Sequence, residues 1–193
     1  MKYLVFIFSL SFVLSSLFII PVSAEESVET ELIPGAISGV LMEASSGKIV
    51  FSKEPDKEVA VASMTKMVAQ ILILEAIRND KISWDDVVTV SQNASDMGGS
   101  QIYLSVGEKI SIRDLFKGIS MASANDATVQ MAEVLAGSEE AFVKEMNQKV
   151  KELGLKHTVF KNCTGLDEEG HYSSAYDLSL IHISEPTRPR LIS

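Results

Sequence analysis

Ser63 and Lys66 stand three positions apart in Ser63-Met64-Thr65-Lys66, at the head of a long apolar segment. A serine hydroxyl attacks a carbonyl when a base takes its proton and fixed donors receive the charge developing on oxygen. If Ser63 opens a helix, Lys66 comes round one turn later over the same face. The helix N-terminus then adds backbone N–H groups and a positive dipole end beside the hydroxyl. Met64, Met67 and Val68 would desolvate the lysine ammonium and lower its pKa, as a general base requires. Alone, the spacing is weak. Ser45-Ser46-Gly47-Lys48 repeats it in what reads as a turn, and the plain alternative for Ser63 is a helix N-cap.

A second pair of polar side chains follows in Ser123-Ala124-Asn125, between two expected helices. A short loop there can aim a hydroxyl and an amide together into a cleft. The plain alternatives are a helix cap for Ser123 and a loop amide bonding its own backbone for Asn125. Ser91-Gln92-Asn93 is a decoy of the same spacing without flanking helices. His157 and His171 lie on loop-like sequence without the carboxylate spacing of a metal site, and are expected at the surface or in loops. No metal and no cofactor is expected. Cys163 is the single cysteine, so no internal disulfide is possible, and it reads as a small buried hydrophobe.

These residues need elements to hold them. Ala36–Met42 and Lys48–Phe51, around Ser45-Ser46-Gly47, read as a β-hairpin. Met67, Ile71, Leu74 and Ile77 recur at helical spacing, with Val68, Leu72 and Ile73 widening the apolar surface. They predict a largely buried helix over Ser63–Arg78. Val87–Val90 is a short strand before a loop, Ser91–Ser100, and Ser111 with Asp114 makes a capping box for a helix through Met121. Further helices are expected over Asp126–Leu135 and Glu139–Leu153, the latter capped by Ser138 and stopped by Gly154. Hairpin, buried helix and helical block predict an α+β fold with a helical lobe beside an antiparallel sheet. One hairpin cannot cover a long apolar helix, so more strands are expected to follow.

The ends of the chain read differently. Lys2, the apolar run Tyr3–Ile20 and Val22-Ser23-Ala24 make residues 1–24 a secretory signal peptide, an uncleaved membrane anchor being the alternative. Residues 25–34 are an acidic, flexible lead-in. The chain is thus expected outside the cytoplasm, in the cell envelope, and its net charge of −9 argues against a nucleic-acid partner. Ser179–Arg188 resembles the in-frame translation of a transposon-type sequencing adapter, so residues 178–193 are expected to be a non-native tail. Residues 35–177 would then be the N-terminal part of the folded domain.

Ser63-x-x-Lys66 with Ser123-Ala-Asn125-Asp126-Ala127 resembles the penicillin-binding protein and serine β-lactamase superfamily. Phe160-Lys-Asn162-x-x-Gly165-Leu166-Asp167, Gly170–Ala175 with Asp177, Gly99-Ser100 and Leu115–Ala136 are similar to low-molecular-mass D-alanyl-D-alanine carboxypeptidases. The resemblance covers nearly all of residues 35–177. It implies a β-lactamase/transpeptidase-like fold, with Ser63 as acyl-accepting nucleophile and Lys66 as its base. Ser123 would relay a proton to the leaving amine, and Asn125 would bind the substrate peptide.

The implied substrate is a peptidoglycan stem peptide ending in D-Ala-D-Ala, with β-lactam antibiotics as covalent inhibitors. Membrane association would come only through a C-terminal segment that this chain lacks. The family's Lys-Thr-Gly motif is absent, which a truncated reading frame would produce, and the chain as it stands is expected to be inactive. A serine β-lactamase is the alternative. Its class A form carries a glutamate four residues before an asparagine, where this chain has Thr158 before Asn162. A non-catalytic wall-binding or sensor domain of the same fold is the third reading.

Overall fold

The computed structural model describes residues 32–184. The signal peptide, residues 25–31 of the lead-in and residues 185–193 of the tail therefore lie outside the described residues. The chain divides into two compact units, Met1–Pro34 and Gly35–Ser193, and every element below belongs to the second.

The expected hairpin is present. Strands β1 (Gly39–Met42) and β2 (Ile49–Lys53) pair antiparallel, Gly39 opposite Lys53 and Leu41 opposite Phe51, with a bulge before Met42. Glu43 N–H donates to Lys48 O and Gly47 N–H to Glu43 O, each at 2.8 Å, closing the turn that carries the decoy serine. The helix expected from Ser63 is split. Ala62–Thr65 is a 3-10 turn, and α1 runs from Lys66 to Arg78. Ala62 enters that turn at φ 45°, a left-handed conformation that costs a non-glycine residue on the order of 1 kcal/mol.

Beyond α1, strand β3 (Val87–Thr89) pairs antiparallel with β4 (Lys109–Ser111), and a single turn of helix α2 (Gln92–Ser95) interrupts the expected loop. Ser91 Oγ accepts from Ala94 N–H at 3.0 Å, so this decoy serine is a plain helix cap. Helices α3 (Ile112–Ala122), α4 (Asn125–Ala136) and α5 (Glu139–Glu152) form the helical block. The caps fall where the residue types put them: Ser111 Oγ accepts from Asp114 N–H at 3.1 Å and Ser138 Oγ from Ala141 N–H at 3.2 Å.

Helix α1 is the centre of this packing. Val68, Ala69, Ile71, Ile73 and Ala76 are buried along it, against α3, α4 and α5. Removing one such side chain, as in Ile73→Ala, costs about 2–5 kcal/mol through lost transfer energy and the cavity left behind.

A last helix, α6 (Ala175–Ser184), runs across Asp177, the expected end of the native domain. Ser174 Oγ accepts from Asp177 N–H at 3.1 Å and caps it. Ile181 is fully buried, and Leu178 and Leu180 pack on the core. A capped helix continues while apolar residues recur at its spacing, and Leu178 and Ile181 provide that on the face toward α1 and β1. Residues 178–184 therefore make the contacts that a detached tail would lack.

Candidate active site

The 3-10 turn decides the geometry of the first motif. Residues three apart in such a turn eclipse one another, so Lys66 stacks directly on Ser63. Its Nζ lies 3.0 Å from Ser63 Oγ and donates to the Thr164 carbonyl at 2.7 Å. Ser63 caps nothing: the residues flanking the starts of the turn and of α1 are Val61 and Thr65, and neither makes a side-chain cap bond. Ser63 is exposed while Lys66 is 2% exposed, which sets a reachable hydroxyl against a desolvated amine.

Burial lowers the Lys66 pKa from 10.5 to about 8. The Cys163 thiol could hold it up only as a thiolate. Cys163 is itself fully buried, and desolvation together with Glu139 pushes that thiol well up, so it stays neutral. Burial is then the controlling influence on Lys66, and the free amine, still the minor form near neutral pH, is far more abundant than for an ordinary lysine.

Ser123 and Asn125 occupy the junction of α3 and α4. Ser123 ends α3 in the left-handed conformation, φ 54°, and its hydroxyl makes no hydrogen bond among the described residues. The cap of α4 is Ala124, so the capping alternative for Ser123 does not hold. Asn125 begins α4, is 4% exposed, and its amide donates to Gly98 O at 2.7 Å, across the chain rather than to its own backbone. Neither side chain bonds Ser63 or Lys66.

Loops link the two corners. A Cβ on Gly165 would lie 1.9 Å from Ala62 O and 3.0 Å from Ser63 N, so only glycine, here at φ 84°, lets the 162–166 turn touch the serine turn. Gly99 meets Asn125 in the same way: a Cβ there would lie 2.8 Å from Asn125 Nδ2 and 3.9 Å from Leu166 Cδ2. The Ser63 turn, the 162–166 turn, the Gly98–Ser100 loop and Asn125 are therefore neighbours in series. A groove of about 410 Å³ runs beside the serine turn, between Ala60–Ala62 and Gly165–Glu169, with His171 in its wall.

Four residues contribute in ways the motifs did not foretell, although Asn162, Asp126 and His171 stand within them. Thr164 supplies the carbonyl on Lys66. Asn162 organises the turn that presents it: its Oδ1 accepts from Gly165 N–H at 2.7 Å and Thr164 Oγ1 at 3.2 Å, and its Nδ2 donates to Leu166 O at 2.9 Å. Asp126, buried in the first turn of α4, accepts from Ile102 and Leu104 N–H at 3.2 and 3.0 Å and ties down the loop beyond Gly98–Ser100. His171 was expected at the surface or in a loop: it lies in a loop, and only the surface position is corrected. It is 7% exposed, with Nε2 2.7 Å from Thr65 Oγ1 and Nδ1 accepting from Lys161 N–H at 3.2 Å. Burial lowers its pKa, consistent with a neutral ring whose Nε2–H donates to Thr65. The asparagine three residues before a glycine in Asn162-x-x-Gly165 is a turn signal that could have singled out Asn162.

Residues 25–186 match the family described as D-alanyl-D-alanine carboxypeptidase. The chain is 53% identical over 152 residues to D-alanyl-D-alanine carboxypeptidase DacF of Bacillus subtilis, covering 79% of this chain and 39% of DacF. In structure it is similar to D-alanyl-D-alanine carboxypeptidase DacD of Francisella tularensis, with a TM-score of 0.76 and 37% identity, covering 78% of this chain and 36% of that one. It is also similar to ampicillin-bound penicillin-binding protein D2 of Listeria monocytogenes, at a TM-score of 0.67 and 29% identity, covering 76% and 59%. The chain thus spans well under half the length of DacF and DacD. Its helices and small antiparallel sheets are those of the penicillin-binding, transpeptidase-like fold. On the extent of the match from residue 25 to residue 186, this chain belongs to the D-alanyl-D-alanine carboxypeptidase family.

Proposed function

We propose that this chain carries the nucleophile and its base for a serine D-alanyl-D-alanine carboxypeptidase acting on peptidoglycan stem peptides. The observation that carries the reading is the buried Lys66 amine 3.0 Å from the exposed Ser63 hydroxyl. Neutral Lys66 takes the Ser63 proton as Oγ bonds to the carbonyl carbon of the penultimate D-alanine. The C–N bond breaks, the leaving amine of the last D-alanine takes a proton by way of Ser123, and an ester to Ser63 remains for water to hydrolyse. Asn125 supports the substrate peptide. Its Oδ1 makes no hydrogen bond among the described residues, which leaves an acceptor for a peptide N–H.

A β-lactam presents an amide in place of that peptide bond and would acylate the same oxygen. The ampicillin-bound relative supports this. A class A β-lactamase reading finds less support, because Thr158 stands where its glutamate would be and its hydroxyl is engaged with Asp177 and Ser173 at 2.7 and 2.8 Å.

The same reading places the protein in the cell envelope, exported by residues 1–24, with the domain beginning at residue 35. No helix among the described residues is long and apolar enough to cross a membrane. The order of residues in Ser179–Arg188 supports a non-native origin for 178–193, of which 178–184 extend α6.

The test is release of free D-alanine from a synthetic acyl-peptide ending in D-Ala-D-Ala by the full-length protein. Release by the parent and none by Ser63→Ala is the expected result. Equal release by both would sink the assignment.

A further inference from the structure

We propose that Asn162 is a positioning residue for the reaction, acting by fixing the Thr164 carbonyl that orients the Lys66 amine. The inference rests on the reading of Lys66 as the base for Ser63. A neutral amine has two N–H donors and one lone pair. To accept the Ser63 proton, the lone pair must face Ser63 Oγ, so an N–H must be held elsewhere.

The Thr164 carbonyl, 2.7 Å from Nζ, is the acceptor that holds it. That carbonyl sits in a turn with little support of its own, since Gly165 is at φ 84° and no strand pairs with it. Two side chains fix the turn: Glu139 Oε1 accepts from Cys163 N–H at 3.1 Å, and Asn162 makes the larger share of the bonds. Asn162 Oδ1 accepts from Gly165 N–H at 2.7 Å and from Thr164 Oγ1 at 3.2 Å. Its Nδ2 donates to Leu166 O at 2.9 Å and to Glu168 Oε2 at 3.1 Å. Both amide ends are used within the six residues that follow Asn162, and the turn is pressed against Ala62 and Ser63 by the close approach of Gly165. The serine and the lysine are therefore set by the same turn.

Loss of this support has a signature that mere loosening of the fold lacks. The carbonyl also favours the charged amine, so its withdrawal lowers the Lys66 pKa further, while misaiming the lone pair lowers the maximal rate. The titratable groups around Lys66 and this turn are Cys163 beside Lys66, Glu139 beside Cys163, and His171 with Glu168 and Asp167 beside it. Cys163 stays neutral; among the carboxylates, Glu168 alone loses a hydrogen bond on the substitution.

The experiment is the rate of covalent labelling by a fluorescent penicillin, measured from pH 5 to 10 on the full-length parent, Asn162→Ala, Asn162→Asp and Ser63→Ala. Asn162→Ala is expected to lower the high-pH plateau about tenfold or more, as misplacement of a catalytic group does, and to move the midpoint below the parent's. Asn162→Asp keeps the acceptor for Gly165 N–H and Thr164 Oγ1 but loses both Nδ2 bonds and sets a carboxylate oxygen beside Leu166 O and Glu168, so its plateau falls between the parent's and that of Asn162→Ala. Its added negative charge moves the midpoint above the parent's. Should Asn162→Ala fail to fold, a lowered plateau with a raised midpoint in Asn162→Asp at the parent's melting temperature supports the proposal, and a parental plateau there overturns it. Unchanged midpoints in both variants, with lower plateaus and lower melting temperatures, would reduce Asn162 to a structural residue and overturn the proposal. Labelling of Ser63→Ala at the parent's rate would instead remove the underlying assignment, and the proposal with it.

Discussion

Burying an ammonium at the foot of α1 works against stability while it serves chemistry. The Lys66 pKa falls from 10.5 to about 8 on folding. At about 1.4 kcal/mol for each tenfold change in proton affinity, this amounts to roughly 3 kcal/mol. The sign follows from proton counts. Below pH 8 both states hold the proton and the penalty is complete. Between 8 and 10.5 the unfolded chain holds it and the folded chain does not, so stability rises with pH until the penalty is gone. Lys66→Met, similar in volume and uncharged, should therefore be more stable than the parent at pH 7. The expected gain is about 2 kcal/mol, after about 1 kcal/mol for the Thr164 carbonyl left without its donor. The gain should fade as pH passes 10, and acylation should be lost throughout. Thermal unfolding from pH 6 to 11 checks this, and a less stable Lys66→Met at pH 7 would mean that the ammonium is well compensated. Ser123→Ala should slow turnover about 10²-fold or more through the proton relay while leaving the melting temperature within about 1 °C, since its hydroxyl makes no bond in the fold. Steady-state D-alanine release beside a melting curve separates the two effects.

Among the elements, the contact between turns is the most exacting. Gly165→Ala would put a methyl group 1.9 Å from the Ala62 carbonyl at a positive φ, so backbone must move. We expect a loss of about 2–4 kcal/mol, with acylation falling more than tenfold because the displaced turn carries Ser63. Gly154→Ala is the control: it shares the positive φ but meets nothing within 4 Å, and should cost only about 1 kcal/mol. Equal losses in the two variants would show that close approach to Ala62 does not matter.

Those turns also mark where the sequence was legible. The hairpin, α1 and the caps at Ser111 and Ser138 could be read because each rests on local rules of period and capping. Local rules also brought Ser63 to Lys66, although the 3-10 turn replaced the expected helical start. Strand β4, the burial of His171 and the Thr164 carbonyl were not legible. Each depends on a partner far along the chain: Val87–Thr89 for β4, Thr65 for His171 and Lys66 for Thr164. Helix α6 was missed for another reason. The residue order after Asp177 drew attention to its origin, while Leu178 and Ile181 sat at a helical spacing that the core accepts.

For the molecule as a whole, the match from residue 25 to residue 186 and the reading of residues 1–24 make one prediction about export. The protein recovered from the cell envelope should begin at Glu25, as read by N-terminal sequencing, because Val22-Ser23-Ala24 supplies the small residues that cleavage needs. A mature protein retaining Met1 or Lys2 would support an uncleaved anchor instead. The central claim is that one serine of this chain takes the acyl group. Its most direct measurement is mass-spectrometric mapping of the peptide that carries labelled penicillin in the full-length protein. The account predicts an adduct on Ser63 alone, lost in Ser63→Ala and unchanged in Ser45→Ala, which alters the decoy spacing in the hairpin turn. An adduct on Ser45, or labelling of Ser63→Ala as strong as the parent's, would contradict it.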